Sequence, residues 1–212
     1  CSPSDELMRI AEPAEEDKAD IVRFLGDLSL GKVNRGKRIS ENRQMKYLDL
    51  LKIPFVYWNK PISKLEIKDT DVLMFGAGGV ARAIAYAVND LGGRLTITNR
   101  TEAKALELAA NFDALTIPYT EPNKLSGYLL INATNIGMEK EESIVAPDII
   151  SRFDAIMDVV ISEETELIRE AKKQNKKYIV GITMNMYQAA EQFKIYTGRE
   201  LPESFILGML SS

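Results

Sequence analysis

Histidine is absent from the 212 residues, and cysteine occurs once, at Cys1. The first absence excludes imidazole acid–base catalysis, histidine metal ligation and Ser-His-Asp triads. Proton chemistry in this chain must use Lys, Asp, Glu, Tyr or water. A single cysteine excludes an intrachain disulfide and fits a reducing, cytoplasmic setting. No metal site is expected. No apolar run approaches the roughly 18 residues that a membrane span needs, so no membrane role is expected. The formal net charge of −4 argues against general nucleic-acid binding. The chain begins at Cys1 rather than at Met, and no signal-peptide pattern follows, so a piece of something longer is expected. The oligomeric state is left open.

The sequence is organised around residues 71–101. Val72-Leu73-Met74-Phe75 reads as a strand buried on both faces. Gly76-Ala77-Gly78-Gly79-Val80-Ala81 follows at once, in the nucleotide-binding spacing G-x-G-x-x-A. Gly76 permits a sharp turn out of the strand. Gly78 has no side chain to hold a pyrophosphate away from the backbone, and Ala81 lets the next helix pack close to the sheet. Residues 79–90 carry Ala, Ile and Val at helical spacing, and the N-terminus of that helix would face the phosphates. Gly92-Gly93 ends the helix, and Leu95 to Thr98 reads as the second strand. The alternative is a tight strand-to-helix turn with no ligand.

The tip of the second strand refines the cofactor. An NAD site usually places Asp or Glu there, on the ribose 2′-hydroxyl. This chain has Asn99-Arg100-Thr101 and then Lys104. Amide, guanidinium and hydroxyl groups bind a 2′-phosphate that a carboxylate repels. NADP is therefore expected over NAD. The alternative is that Arg100 and Lys104 are ordinary solvated residues at a helix start.

From Lys68 onward strands and helices alternate, which predicts an α/β fold of Rossmann type, a doubly wound parallel sheet. Further strands are expected at 114–117, 128–132, 155–161 and 178–180. Helices are expected at 101–111, 165–175 and 185–197, and Glu139 to Glu142 reads as a solvated loop. Before the sheet, helices are expected at 5–11, 14–28 and 40–51, a hairpin or loop at 30–39 and an edge strand at 53–58. The expected domains are a small helical or partial substrate-lobe segment at 1–66, an NADP-binding domain at 67–182, and C-terminal helices at 183–212 packing back on the front segment.

Four stretches together resemble the shikimate dehydrogenase family, over about Lys68 to Phe205. The first is GAGGVARA with its NRT turn and Lys104. The second is Asn132-Ala133-Thr134-Asn135-Ile136-Gly137-Met138, similar to the family's NAT-x-x-GM. The third is Asp158-Val159-Val160. The fourth runs from Gly181 through Met184, Gln188 and Phe193 to Thr197-Gly198, and resembles the family's final-helix pattern with Tyr196 in place of a Trp. The resemblance implies reversible, NADPH-dependent reduction of 3-dehydroshikimate to shikimate. It places Asn132, Ala133, Thr134, Gly181 and Met184 at the cofactor and Gln188 on a substrate hydroxyl. Gln188 could instead be a polar residue on an exposed helix face. The motifs do not separate shikimate from quinate.

The front of the chain departs from the family, whose N-terminal lobe holds a Ser-x-Ser substrate clamp and a catalytic Lys–Asp pair. Gly31-Lys32-Val33-Asn34 resembles the family's GAVN, and the following stretch aligns Asn42. Gln44 stands where the catalytic Asp would be, and Gln cannot exchange a proton with a carbonyl oxygen. Lys18 lacks the family's context, so the catalytic residues are unassigned. Two other readings stay open. One is the reductase end of a bifunctional shikimate-pathway protein, suggested by Arg9-Ile10-Ala11 before a charged helix. The other is a non-catalytic NADP-binding module.

Overall fold

In the computed structural model, residues 59–122, 125–162 and 164–210 are described. The expectations for residues 1–58, including Lys18, Asn42, Gln44, the three early helices and the edge strand, lie outside them.

The chain runs α1 (Asn59–Ser63), β1 (Asp71–Phe75), α2 (Gly79–Asp90), β2 (Arg94–Thr98), α3 (Glu102–Ala110), β3 (Leu115–Thr116) and β4 (Gly127–Asn132). It continues through α4 (Pro147–Ile150), β5 (Phe153–Asp158), α5 (Glu166–Lys173), β6 (Lys177–Ile179), α6 (Gly181–Thr197) and α7 (Glu203–Leu210). The six strands form one parallel sheet in the order β3-β2-β1-β4-β5-β6. This is the expected doubly wound arrangement, and its strand order reverses between β1 and β4.

Alternation along β1 divides the core into two faces. Val72 and Met74 pack with Ile84 and Val88 of α2, Ala105 and Leu108 of α3, and Ile62 of α1. Leu73 and Phe75 pack on the other side with Ile149 and Ile150 of α4 and Leu167 and Ile168 of α5. Burial of both faces explains the unbroken apolar run of this strand. A third cluster joins α6 to α7 through Tyr187, Ala189, Ala190, Leu201 and Ile206.

Local chemistry sets the element ends. Gly92 takes φ +77° and donates to Asn89 O at 3.0 Å, while Gly93 donates to Val88 O at 2.9 Å. This closes α2 in a Schellman motif. β5 stops at Asp158, short of the expected 161, because Asp158 Oδ1 accepts the N–H of Val160 at 3.0 Å. That side-chain bond competes with continued pairing. The last long helix starts at Gly181, four residues before the expected Asn185. Both edges of the sheet are short: β3 has two residues, with Leu115 at 72% exposure, and β6 has three.

Gly127 begins β4 with no room for a side chain: a Cβ there would sit 2.6 Å from Asp71 O. Backbone cannot move aside as a flexible side chain can. Gly127→Ala is expected to lower unfolding free energy by about 1–3 kcal/mol, the range for overpacking. A reduced urea midpoint at unchanged slope is the checking measurement.

Candidate functional site

The carboxyl ends of four strands form one row. Phe75 lies opposite Thr98 on one side and Asn132 on the other, and Asn132 lies opposite Asp158. In open parallel sheets, ligands bind outside this edge where the strand order reverses.

Gly76 leaves β1 with φ +113°, and its N–H donates to Thr98 O at 2.9 Å. A Cβ at Gly76 would lie 2.5 Å from Ala133 O, so the turn is open only to glycine. Ala77 is half-buried. Gly78 caps α2 with extended backbone, and Gly79 is its first residue. At neither Gly78 nor Gly79 would a Cβ meet anything within 4 Å. The space over this turn is open, and Val80 beside it is 41% exposed. Ala81 is fully buried in the core and brings α2 close to the sheet. The first turn of any helix leaves N–H groups without intrahelical partners, and these carry partial positive charge.

One strand away, β2 leads into Asn99, Arg100 and Thr101. Asn99 Nδ2 donates to Thr101 O at 2.9 Å, which tightens the turn. Thr101 caps α3 with its backbone in extended conformation, and Arg100, Thr101 and Lys104 are exposed. Arg82 of α2 reaches Glu107 of α3 at 3.8 Å and bridges the two helices that carry the cradle and the turn. Thr98, fully buried just before this turn, keeps its Oγ1 without a hydrogen-bond partner among the described residues.

A buried polar network fixes the other half of the row. Asn132 Nδ2 donates to Asp158 Oδ1 and to Ile136 O, each at 3.0 Å. Asn132 Oδ1 accepts from Thr134 Oγ1 at 2.7 Å and from Thr134 N at 3.1 Å. Thr134 Oγ1 in turn accepts from Ile136 N at 3.1 Å. The NAT turn is thus folded onto Asn132. Asp158 Oδ2 accepts from Thr165 Oγ1 at 2.7 Å, and Thr165 caps α5 by accepting from Ile168 N at 3.3 Å. The chain 132–158–165 links two strand ends to a helix start. Sequence reasoning missed Thr165, and it noted Asp158 only as part of a motif. The capping pattern of Thr165 before Glu166 and Leu167 was the available signal.

The final helix meets the same region. A Cβ at Gly181 would lie 2.5 Å from both Val159 O and Val160 O, so α6 starts in direct backbone contact with the loop after β5. Met184 is buried in the core that also holds Ala81 and Ala133. Gln188, one turn further, is half-buried. Gly76, Ala133 and Thr134 are therefore in contact, and Gly181 joins them through the 158–160 turn. Arg100 and Lys104 sit apart, on the β2 side of the row. Tyr187, beside Gln188, is 2% exposed.

Comparison with known proteins agrees with this geometry. The sequence model of the family described as "Shikimate / quinate 5-dehydrogenase" matches residues 60–136. The shikimate dehydrogenase (NADP(+)) of Methanothrix thermoacetophila is 36% identical over 141 residues, covering 65% of this chain and 52% of that protein. Residues 60–136 of this chain thus match the shikimate / quinate 5-dehydrogenase family. The Arabidopsis thaliana bifunctional 3-dehydroquinate dehydratase/shikimate dehydrogenase is 31% identical over 157 residues, 71% of this chain and 26% of that one. The Thermus thermophilus shikimate 5-dehydrogenase solved with NADP(H) and shikimate superposes with a TM-score of 0.62 at 29% identity, covering 74% of this chain and 59% of that one. The chain spans about half the length of the first relative. Among the described residues, no helix is long and apolar enough to cross a membrane, and no group of three or more His, Cys, Asp or Glu residues is placed to hold a metal ion.

Burial pushes the Asp158 carboxyl above its ordinary range, against the opposing pull of Thr165, the Val160 N–H and Asn132. A carboxyl with a raised folded-state pKa binds its proton more tightly in the folded chain. The stability it contributes is present at low pH and is lost as pH rises through the raised value. Asp158→Asn removes this component. The wild type should lose stability relative to the variant as pH climbs out of the ordinary carboxylate range. Urea melts of both proteins across that range check it; a difference that does not vary with pH refutes it.

Proposed function

We propose that this chain forms the NADP-binding half of a shikimate-type dehydrogenase, working in a cytoplasmic setting on a small hydroxy or keto substrate. The observation that carries this is the open backbone cradle at Gly78 and Gly79, with a cationic turn at Asn99, Arg100, Thr101 and Lys104 one strand away. The cradle suits a diphosphate, because N–H groups at a helix start face it without side-chain obstruction. The turn suits the additional 2′-phosphate of NADP, because its exposed cations come without a carboxylate at the strand tip. The Asn132–Thr134 turn and the start of α6 then border the nicotinamide end.

When bound, the cofactor supplies or accepts the hydride of the reduction. The described residues hold and orient it. Asp158 and Thr165 keep the Asn132–Thr134 turn fixed. Gly181 allows α6 to begin against that turn, and Gln188 on α6 donates to or accepts from a substrate hydroxyl. The shikimate bound in the Thermus relative supports this substrate class. Reduction also needs a proton delivered to the carbonyl oxygen within hydrogen-bond reach. Gln44 at the aligned position of the family's acid favours a second reading, a nucleotide-binding module without turnover. The likeness to the Arabidopsis bifunctional protein supports the reading of this chain as the reductase end of a larger polypeptide.

The test is to add NADP and shikimate and follow absorbance at the reduced-nicotinamide band. Turnover supports the dehydrogenase, NADP binding without turnover supports the module, and absence of NADP binding removes both. Arg100→Ala is expected to weaken NADP by about tenfold to a hundredfold, the loss of charged hydrogen bonds. NAD binding should change little, and equal losses for the two cofactors would show that Arg100 does not read the 2′-phosphate. Gln188→Ala should raise the KM for shikimate and leave NADP affinity nearly unchanged. Collapse of cofactor affinity instead would remove the substrate role.

A further inference from the structure

Among the described residues, the helix that carries Gln188 meets the sheet at its beginning. Gly181 abuts the backbone at Val159 and Val160, and Met184 enters the sheet core. From Tyr187 onward its buried residues belong to the separate cluster shared with α7. Tyr187 stands at that changeover. Its ring is buried, and its hydroxyl donates to Glu203 Oε1 at 2.8 Å and accepts from Lys64 Nζ at 3.2 Å. Lys64 Nζ also lies 3.1 Å from Glu203 Oε1 and 5.7 Å from the centre of the Tyr187 ring. Lys64 follows α1 and leads into β1, whereas Glu203 opens α7. The segment before β1 and the last two helices therefore meet at one phenol oxygen.

The chemistry of the three groups is matched. The ammonium only donates, the carboxylate only accepts, and the phenol does both. Burial pushes the Tyr187 hydroxyl above its ordinary value, with Glu203 adding to the effect, so it stays protonated and able to donate. The Lys64 ammonium is held above its ordinary value by the bond to Tyr187. Tyr187 and Gln188 are consecutive on a rigid helix, about 100° apart around its axis. Fixing the rotation of α6 at Tyr187 fixes the direction of Gln188.

The geometry points to Tyr187 as a positioning residue. Its hydroxyl, held between Lys64 and Glu203, sets the rotation of α6 and through it the placement of Gln188 toward substrate. The link to substrate rests on the reading of Gln188 given under the proposed function; the ordering of α6 does not.

The test compares the full-length wild type with Tyr187→Phe, which keeps the ring and removes the hydroxyl, and with Lys64→Met, which leaves the ring and Glu203 in place. Amide hydrogen exchange is read over residues 183–190 and, as an internal reference, over α2. Both variants should speed exchange at 183–190 by about fivefold or more, with α2 unchanged, as expected for a local opening. The KM for shikimate should rise about threefold or more while NADP affinity stays within about twofold, the split expected when one hydrogen bond orients a substrate contact. Unchanged exchange at 183–190, or equal acceleration in α2, overturns the positioning role. Faster local exchange with an unchanged KM overturns the link to Gln188. A wild type that binds NADP but not shikimate overturns the proposed substrate, and the exchange comparison still decides whether Tyr187 orders α6.

Discussion

The site depends on how closely two backbones approach at the switch point of the sheet. Gly76 passes so near Ala133 that a single methyl group would overlap the carbonyl oxygen at 2.5 Å. This contact sets the turn from β1 into α2 directly beside the turn from β4. If either segment moved outward, the N-terminus of α2 would no longer stand over the crevice between the strands. The same kind of constraint recurs at Gly181, where α6 begins against the carbonyls of Val159 and Val160. At both places packing requires the missing side chain. At Gly78 and Gly79 a Cβ would meet nothing within 4 Å, so packing does not require glycine there.

Around these contacts, polar groups do what apolar packing cannot. The ends of β4 and β5 are held by Asn132 and Asp158, both buried, and by Thr165 at the start of α5. Each side chain has more than one partner, so the cost of burying them is offset by satisfied bonds. Deletion of one member would strand the others in a low-dielectric interior. Directional bonds hold a loop in one shape, whereas a hydrophobic contact tolerates sliding. The network thus places the NAT turn with an accuracy that Ala133 alone would not give.

Much of this was legible in the sequence, for identifiable reasons. The helix at 79–90 and the five-residue strand before it follow from the glycine spacing and an apolar run with few alternatives. Other features depended on tertiary contacts. No expectation covers α1, which contains Pro61, because proline argues against a helix although it is tolerated in a first helical turn. Gly181 lies before the expected start of the final helix at Asn185, and its contact with the 159–160 carbonyls explains a glycine at the observed start. The apolar pattern of β5 continues through Val159, Val160 and Ile161, but the Asp158 carboxyl group accepts the N–H of Val160. The glycine cradle and the basic turn were readable as a site because their residues are close in sequence. The meeting of Lys64 with Tyr187 spans 123 positions, and no local pattern announces it.

The brevity of the two outer strands bears on how the protein behaves in company. An unpaired sheet margin is a template on which a stray extended chain can dock. Here one margin offers two residues, closely followed by Pro118, and the other offers three, beginning at Lys177. Neither is long enough to seed a stack of added strands, and proline cannot donate to one. Among the described residues, the outline of the sheet thus disfavours fibrous self-association, independently of whatever occupies the crevice along the carboxyl ends of the strands.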